Sequence, residues 1–370
     1  MPTVIDLFAG AGGLSLGAAR AGFKVAAAVE KDKHAYDTHR KNFPASEHSD
    51  ADVSSLRGDE LFSLAKIKQN TLGGLIGGPP CQGFSVIGKR QADDQRNELF
   101  FHFFRLVKET RPKFFVTENV PNILHSRYDN LRNRAFQEVL NGYAMLEPLT
   151  IKASDYGAPT KRSRVFFIGY DTKQFSRDLT QESFSPLEVE KMYVRQALHG
   201  LPTRISSDWQ TEDAGWRPVT KCDRNYFFER VGGHIPDGAG DKKSVERYLA
   251  KNEVSGCLGT RHDAEVVERY RSLAYGQRDK VSKATKLNPD GFCPTLRAGT
   301  GSDKGRFQAV RPVHYDPPRV ITPREAARLQ GFPDWFIFHP TKWHSFRQIG
   351  NSVSPLVAEH LLRVLADNTH

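Results

Sequence analysis

The sequence predicts an α/β protein in which a parallel sheet is covered by helices on both faces, with a second, smaller domain beside it. Three observations support this. Short apolar and β-branched runs alternate with longer helical patterns through the first half of the chain. That alternation fades at Asp171, and a stretch where Gly, Asp, Arg, Lys and aromatics interleave continues to Pro318. At 370 residues the chain is too long for one small core, and two domains imply a cleft.

The elements follow in order. Residues 3–8 read as the first strand, Gly10, Gly12 and Gly13 as its turn, and residues 14–21 as a helix capped by Gly22. Residues 24–30 give a second strand ending in the acid Glu30, and residues 33–42 are helical. Leu75 and Ile76 end a buried strand over residues 74–77, just ahead of Pro79-Pro80-Cys81. Residues 98–109, rich in Phe and Leu, form a long helix, residues 114–117 a strand that delivers Glu118, and residues 164–169 another strand. In the middle stretch Trp209, Trp216, Tyr226, Phe227, Phe228, Tyr248, Tyr270, Tyr275 and Phe292 supply too many aromatics for a disordered insert. Order returns at Thr322-Pro323-Arg324-Glu325: Thr322 caps, Pro323 takes the first helical position, and Glu325 completes a capping box. Ser354-Pro355 repeats the device for a final helix through Leu365.

Charge and cysteines narrow the function classes. Lys and Arg number 53 against 43 Asp and Glu, a formal charge of +10, which favours a polyanionic partner because each phosphate contact releases condensed counterions. The cysteines, Cys81, Cys222, Cys257 and Cys293, lie far apart, with no C-x-x-C pair and no histidine cluster at ligand spacing. Neither a disulfide framework nor a zinc site is expected. The first residues run straight into a strand-like segment, and no apolar stretch is long enough to cross a bilayer. This predicts a cytoplasmic protein.

Several segments carry chemistry. Cys81 is a candidate nucleophile: two prolines fix the backbone before the thiol, and Gly83 frees the loop after it. A buried, inert cysteine is the alternative reading. Asp6-Leu7-Phe8-Ala9-Gly10-Ala11-Gly12-Gly13 sits at a strand-to-helix turn, where absent side chains let a ligand approach the backbone. Such a turn suits a dinucleotide, another adenosine ligand or tight packing alone. Phe8 departs from a dinucleotide fingerprint by offering an apolar face in place of another amide. Glu30 is placed to accept hydrogen bonds from ribose hydroxyls and Asp52 to meet an adenine amino group, with a solvated loop carboxylate as the alternative for each.

With Glu118-Asn119-Val120 and Gln348-Ile349-Gly350-Asn351-Ser352-Val353 added, the chain resembles a cytosine-5 DNA methyltransferase of the bacterial restriction-modification type, over residues 3–170 and 294–365. In that family Phe-x-Gly-x-Gly-Gly binds S-adenosylmethionine, matched by Phe8, Gly10, Gly12 and Gly13. Pro-Cys-Gln carries the nucleophile, matched by Pro80, Cys81 and Gln82, and Glu-Asn-Val carries the acid that meets the base, matched by Glu118. Gln-x-Arg-x-Arg appears as Thr160-Lys161-Arg162-Ser163-Arg164, with Thr160 in place of the glutamine. Leu99 resembles the leucine that lines the cofactor pocket after a mobile loop, and Thr295-Leu296 the pair that marks the specificity region.

The resemblance implies a Rossmann-like methyltransferase sheet with a smaller DNA-recognition domain: catalytic and cofactor-binding residues 1–175, target recognition 176–318, and a C-terminal segment 319–370 returning to the first. It implies a catalytic set of Cys81, Glu118, Arg162 and Arg164, in which Cys81 adds to carbon 6 of the cytosine, Glu118 relieves the charge and the arginines hold the thiolate side. The implied cofactor set is Phe8, Gly10, Gly12, Gly13, Leu14, Glu30, Asp52, Val53, Pro79, Leu99, Asn351, Ser352 and Val353. Gln82, Ser85, Thr295, Leu296 and Arg297 are the implied DNA contacts, and Arg217, Lys221, Arg224, Arg230, Lys242, Lys243 and Arg261 could divide between phosphates and guanine edges. The base must leave the duplex to meet Cys81, and residues 83–97 are expected to close over the DNA. Double-stranded DNA is the partner, with a separately acting cognate endonuclease; a monomer is expected, and with no metal needed activity should survive a chelator. Two rivals remain: a nicotinamide-dependent oxidoreductase on the same sheet, which leaves the Pro-Cys loop unexplained, and a silent or transfer-RNA-directed relative, against which Cys81, Glu118 and the glycine turn count.

Overall fold

The computed structural model describes residues 1–80, 98–186, 188–208, 213–222, 225–299 and 310–370. The first half comprises β1 (Thr3–Leu7), α1 (Gly13–Arg20), β2 (Lys24–Val29), α2 (Lys33–Asn42), β3 (Glu47–Ser49), α3 (Gly58–Ala65), β4 (Gly74–Gly77), α4 (Glu98–Thr110) and β5 (Phe114–Asn119). Then come α5 (Asp129–Gln137), β6 (Ala144–Met145), β7 (Leu149–Lys152) and β8 (Ser163–Tyr170). Among the described residues the sheet order is β3-β2-β1-β4-β5-β8-β6, with β7 also paired to β8. The run from β3 to β5 is parallel.

The strand expected over residues 164–169 corrects the parallel expectation, because β8 runs antiparallel to β5, β6 and β7. Connection length explains the reversal. The crossover through α5 lets β7 run in the direction of β5, whereas β7 and β8 are joined by a single helical turn at Ala153–Tyr156 and a short loop. That is too little chain for a parallel crossover, so β8 folds back between its neighbours.

Side chains of β1, β5 and β8 alternate between the two faces of the sheet. Ile5, Phe115 and Phe167 join a cluster with Leu61 and Phe62 of α3 and Phe100, Phe103 and Phe104 of α4. Val4, Val116 and Ile168 face the other way, into a cluster that includes Leu14, Leu16 and Ala18.

The rest of the chain adds α6 (Val194–Leu198), β9 (Arg217–Pro218), α7 (Tyr226–Gly232), α8 (Lys242–Lys251), β10 (Glu253–Val254), α9 (Ala264–Ser272), α10 (Pro323–Leu329), α11 (Lys342–Asn351) and α12 (Pro355–Asn368). Phe184, Leu198, Phe227, Tyr248 and Val254 of the middle stretch are buried in the same cluster as Val4 and Ile168. α10 begins with the expected capping box: Glu325 N donates to Thr322 Oγ1 at 3.2 Å and Thr322 N to Glu325 Oε2 at 2.7 Å. Its arginines are wholly buried and bind other segments. Arg324 donates to the carbonyls of Ser255, Pro333 and Phe336, and Arg328 pairs with Asp334 and donates to His199 O at 2.6 Å.

α12 covers α1. At their crossing Gly17 permits a backbone approach that a side chain would prevent: a Cβ there would lie 2.3 Å from Ala358 Cβ and 2.6 Å from the backbone of Glu359.

Candidate active site

The turn after β1 is built from unusual backbone. Phe8 has φ 57°, Gly10 57° and Gly12 105°, a left-handed region that glycine enters freely and an aromatic residue only at some cost. Ser15 Oγ, in the first turn of α1, donates to Asp6 Oδ2 at 2.7 Å and anchors the turn to the strand below. The three glycines serve different needs. A Cβ on Gly10 would meet nothing within 4 Å, one on Gly12 would strike the Phe43 ring at 2.3 Å, and one on Gly13 the Val353 carbonyl at 2.4 Å. Gly10 therefore faces open space, while Gly12 and Gly13 allow α2 and the C-terminal segment to close in.

Glu30 stands at the end of β2. Its two carboxylate oxygens accept from Gly10 N at 2.8 Å and Asp32 N at 2.7 Å, and burial raises its pKa above the usual carboxylate value. Asp52 is held differently. Lys31 Nζ lies 2.6 Å away and Ser54 donates from both N and Oγ, which together lower its pKa to about 2.

These groups line a cavity of about 780 Å³ at the C-terminal ends of β1, β2, β4 and β5. The order β2-β1-β4 reverses direction there, which is where open α/β sheets bind ligands. Of the expected cofactor residues, Phe8, Gly10, Gly13, Leu14, Glu30, Asp52, Val53, Pro79, Leu99, Asn351, Ser352 and Val353 line the cavity. Gly12 lies behind it, against Phe43.

One end of the cavity carries charge. Glu118, the penultimate residue of β5 and 7% exposed, has Oε1 2.5 Å from Arg164 Nε on β8, and both residues line the wall. The cross-strand pairing of Glu118 with Phe166 sets their spacing. Glu118 Oε2 lies 3.2 Å from where a Cβ of Gly78 would stand, so the absence of a side chain there makes room for the carboxylate. Asn119 Nδ2 donates to Pro79 O at 3.3 Å, tying β5 to the Gly78-Pro79-Pro80 segment. The described chain stops at Pro80, which lines the same cavity. Cys81, Gln82 and Ser85, with the loop over residues 83–97, lie outside the described residues.

Arg162 is placed differently from Arg164. It is 2% exposed, does not line the cavity, and donates to Leu296 O at 3.3 Å and Asn351 O at 3.2 Å. It thus ties β8 to the Thr295-Leu296 segment and to the C-terminal cavity wall. Leu296 is buried, whereas Thr295 and Arg297 are exposed. Cys257 and Cys293 are inert by placement: burial raises the Cys257 thiol to about 12 and the Cys293 thiol as well.

Sequence reasoning missed part of the wall. Lys31, His34, His102, His344, Arg347 and Gln348 also line the cavity. The helical period held a signal, since His344, Arg347, Gln348 and Asn351 fall on one face of α11. His34, His339 and His344 converge from α2, the loop before α11, and α11.

Comparison with known proteins identifies the family. Residues 2–367 match the family model for C-5 cytosine-specific DNA methylases. The type II methyltransferase M.XorII of Xanthomonas oryzae pv. oryzae is 39% identical over 96% of this chain and 82% of its own length. M.DdeI of Desulfomicrobium norvegicum is 33% identical over 97% and 87%. A prophage-encoded Escherichia coli protein, assigned as a DNA modification methyltransferase, has a crystal structure that superposes with a TM-score of 0.89 at 51% identity, covering 99% of each chain. The Dnmt2 methyltransferase of S. pombe, at 16% identity and a TM-score of 0.64 over 99% of each chain, shares the fold. A methyltransferase sheet whose switch-point cavity joins a glycine turn to an acid-arginine pair, matched by that family nearly end to end, leads to one assignment: the chain belongs to the C-5 cytosine-specific DNA methylases and is a DNA cytosine-5 methyltransferase.

Proposed function

We propose that this enzyme uses S-adenosylmethionine to methylate carbon 5 of a cytosine turned out of a specific duplex sequence, through a transient bond from Cys81, as the modifying member of a restriction-modification system. The observation that carries this reading is a single cavity lined by the glycine turn, by the Glu118–Arg164 pair and by Pro80, the residue before Cys81.

The cavity's donor set suits the cofactor. Open space over Gly10, the apolar side chains of Phe8, Leu14 and Leu99, and two acids at strand ends match an adenosine with a ribose. Glu30 has acceptor capacity beyond its two amide bonds, so it can receive ribose hydroxyls. S-adenosylmethionine supplies an electrophilic methyl carbon on a sulfonium sulfur.

The chain's own residues prepare the base. The Cys81 thiolate adds to carbon 6, and the electron pair of the 5,6 double bond moves to carbon 5, which is otherwise a poor nucleophile. Glu118 meets ring nitrogen 3 and the exocyclic amine, sharing a proton as negative charge builds. Arg164, 2.5 Å from that carboxylate, orients it. Once carbon 5 is methylated, its proton leaves to a base and the Cys81 thiolate departs, restoring the ring. Arg162 acts at one remove, by fixing Leu296 and Asn351.

A cytosine in a duplex cannot reach the end of this cavity, so flipping is part of the proposal. Residues 176–318 are assigned to target recognition, with Leu296, between Thr295 and Arg297, tied to the catalytic strand through Arg162. The enzyme acts as a monomer in the cytoplasm, and a separate endonuclease shares its target sequence.

Transfer of labelled methyl groups to DNA, with RNA as control, tests the reaction, and bisulfite sequencing of DNA from a host expressing the chain reads the target. Label in RNA alone, or scattered cytosine modification without a common sequence, would overturn it.

A further inference from the structure

Three histidines meet at the lip of the cofactor cavity with no part in the reaction described above. His34 lies in the first turn of α2, His339 just before α11, and His344 in its first turn. One nitrogen from each lies within 4.8 Å of the other two. The rings are packed against one another, with centroids 3.8 Å apart for His34 and His344, 4.5 Å for His339 and His344, and 4.7 Å for His34 and His339. His34 and His344 line the cavity; His339 does not.

The supporting structure holds all three in place. Gln348 Nε2 donates to His34 O at 2.9 Å, while its Oε1 accepts from His339 N at 3.0 Å, so one side chain fixes two of the three backbones. Ser345 Oγ donates to His339 O. His339 Nδ1 lies 3.0 Å from Thr341 Oγ1 and accepts from Thr341 N at 3.1 Å, which leaves Nε2 as its outward nitrogen. A cation on Nε2 requires the tautomer with the proton on Nδ1, which exchanges the bond from Thr341 N for one donated to Thr341 Oγ1, the outer-sphere partner that metal-bound imidazoles commonly have.

We propose that His34, His339 and His344 form a binding site for a divalent transition metal that favours imidazole, with zinc the expected occupant, clasping α2 to the C-terminal segment at the mouth of the cavity. Tetrahedral zinc holds nitrogen ligands about 3.3 Å apart at bonds of about 2.0–2.1 Å, so modest rotations of rings already in contact complete the set and leave a fourth position to water. Burial and the neighbouring histidines lower His339 to about 4, and burial lowers His344. Asp32, at the N-cap of α2, favours a cation here, whereas Lys41 and Arg347 oppose it.

The full-length enzyme, freed of metal by chelator and dialysis, is titrated with cobalt(II) and then zinc. The visible absorption of cobalt, equilibrium dialysis and the thermal midpoint are read together. One equivalent is expected to bind with a tetrahedral cobalt spectrum and no sulfur band, to be displaced by zinc, and to raise the midpoint by mass action. His339→Ala should weaken binding by about tenfold or more while the metal-free midpoint and circular dichroism stay near wild type. Should that variant misfold, His34→Gln, at an exposed helix start, reads the same loss. Absence of stoichiometric binding, or affinity unchanged in both variants, overturns the site. So does a thiolate-to-cobalt band, which would move the metal to Cys222 and His199, whose Sγ and Nδ1 lie 3.3 Å apart.

Discussion

The carboxylate of Glu118 pairs with the Arg164 guanidinium in the cavity wall, so its removal falls on chemistry more than on folding. Glu118→Gln should lower the methylation rate constant by roughly 10²-fold or more with cofactor affinity near wild type; single-turnover kinetics checks this. Cys81→Ser should abolish transfer yet bind DNA, and DNA carrying 5-fluorocytosine should trap wild-type enzyme in a denaturation-resistant adduct, because fluorine cannot leave as a proton does. A serine variant turning over near the normal rate would remove Cys81 from the mechanism. Asp6 gives a pH prediction. It is wholly buried, and burial raises its pKa from 3.8 to about 7, against the hydrogen bond from Ser15, which lowers it. The folded protein therefore holds a proton that the unfolded chain has released across this window. The associated stability is complete below 3.8 and is lost as pH rises toward about 7, on the order of a few kcal/mol. Asp6→Asn should gain on wild type between pH 4 and 8 in urea unfolding; a constant difference would show that Asp6 does not titrate there. The glycine turn, Glu30 and the Glu118 strand end were legible in the sequence because each lies beside a strand terminus in the chain itself. The separate fates of Arg162 and Arg164 were not, since spacing alone puts both on one strand face, whereas Arg162 donates to the Leu296 and Asn351 carbonyls and Arg164 pairs with Glu118.

Among the elements, α1 and α12 depend on a glycine for their approach. Gly17→Leu should unfold at a markedly lower temperature, because a side chain there meets the backbone of α12, and overpacking costs about 1–3 kcal/mol or more. An unchanged midpoint would mean that the helices can slide apart. The buried pair between Arg328 and Asp334 makes the complementary case: Arg328→Leu leaves a carboxylate buried without its partner and should cost about 3–5 kcal/mol in denaturant unfolding. Helix starts were the easiest elements to read, since the cap at Thr322 and the prolines at 323 and 355 act within one turn. The direction of β8 was hidden, because it follows from how little chain joins it to β7. The histidine cluster was hidden for the opposite reason, its members being distant in the chain and adjacent only after α11 docks on α2.

For the whole molecule, the formal charge of +10 makes DNA affinity a salt-dependent quantity. The logarithm of the binding constant should fall linearly with the logarithm of salt, by about 0.9 per phosphate neutralised; a flat response in a filter-binding or anisotropy titration would show that the excess charge faces away from the nucleic acid. The α/β class was readable from alternation and motif order. The merging of the middle stretch into the sheet's own buried cluster was not, because Phe227, Tyr248 and Val254 carry no mark of the partners they meet. One consequence concerns synthesis. Asn351, Ser352 and Val353 wall the cavity, and Val353 closes on Gly13, so the pocket takes one side from residues made long after the glycine turn. A growing chain can shape the glycine turn early but cannot close the pocket until α11 and the segment after it have been made and have docked.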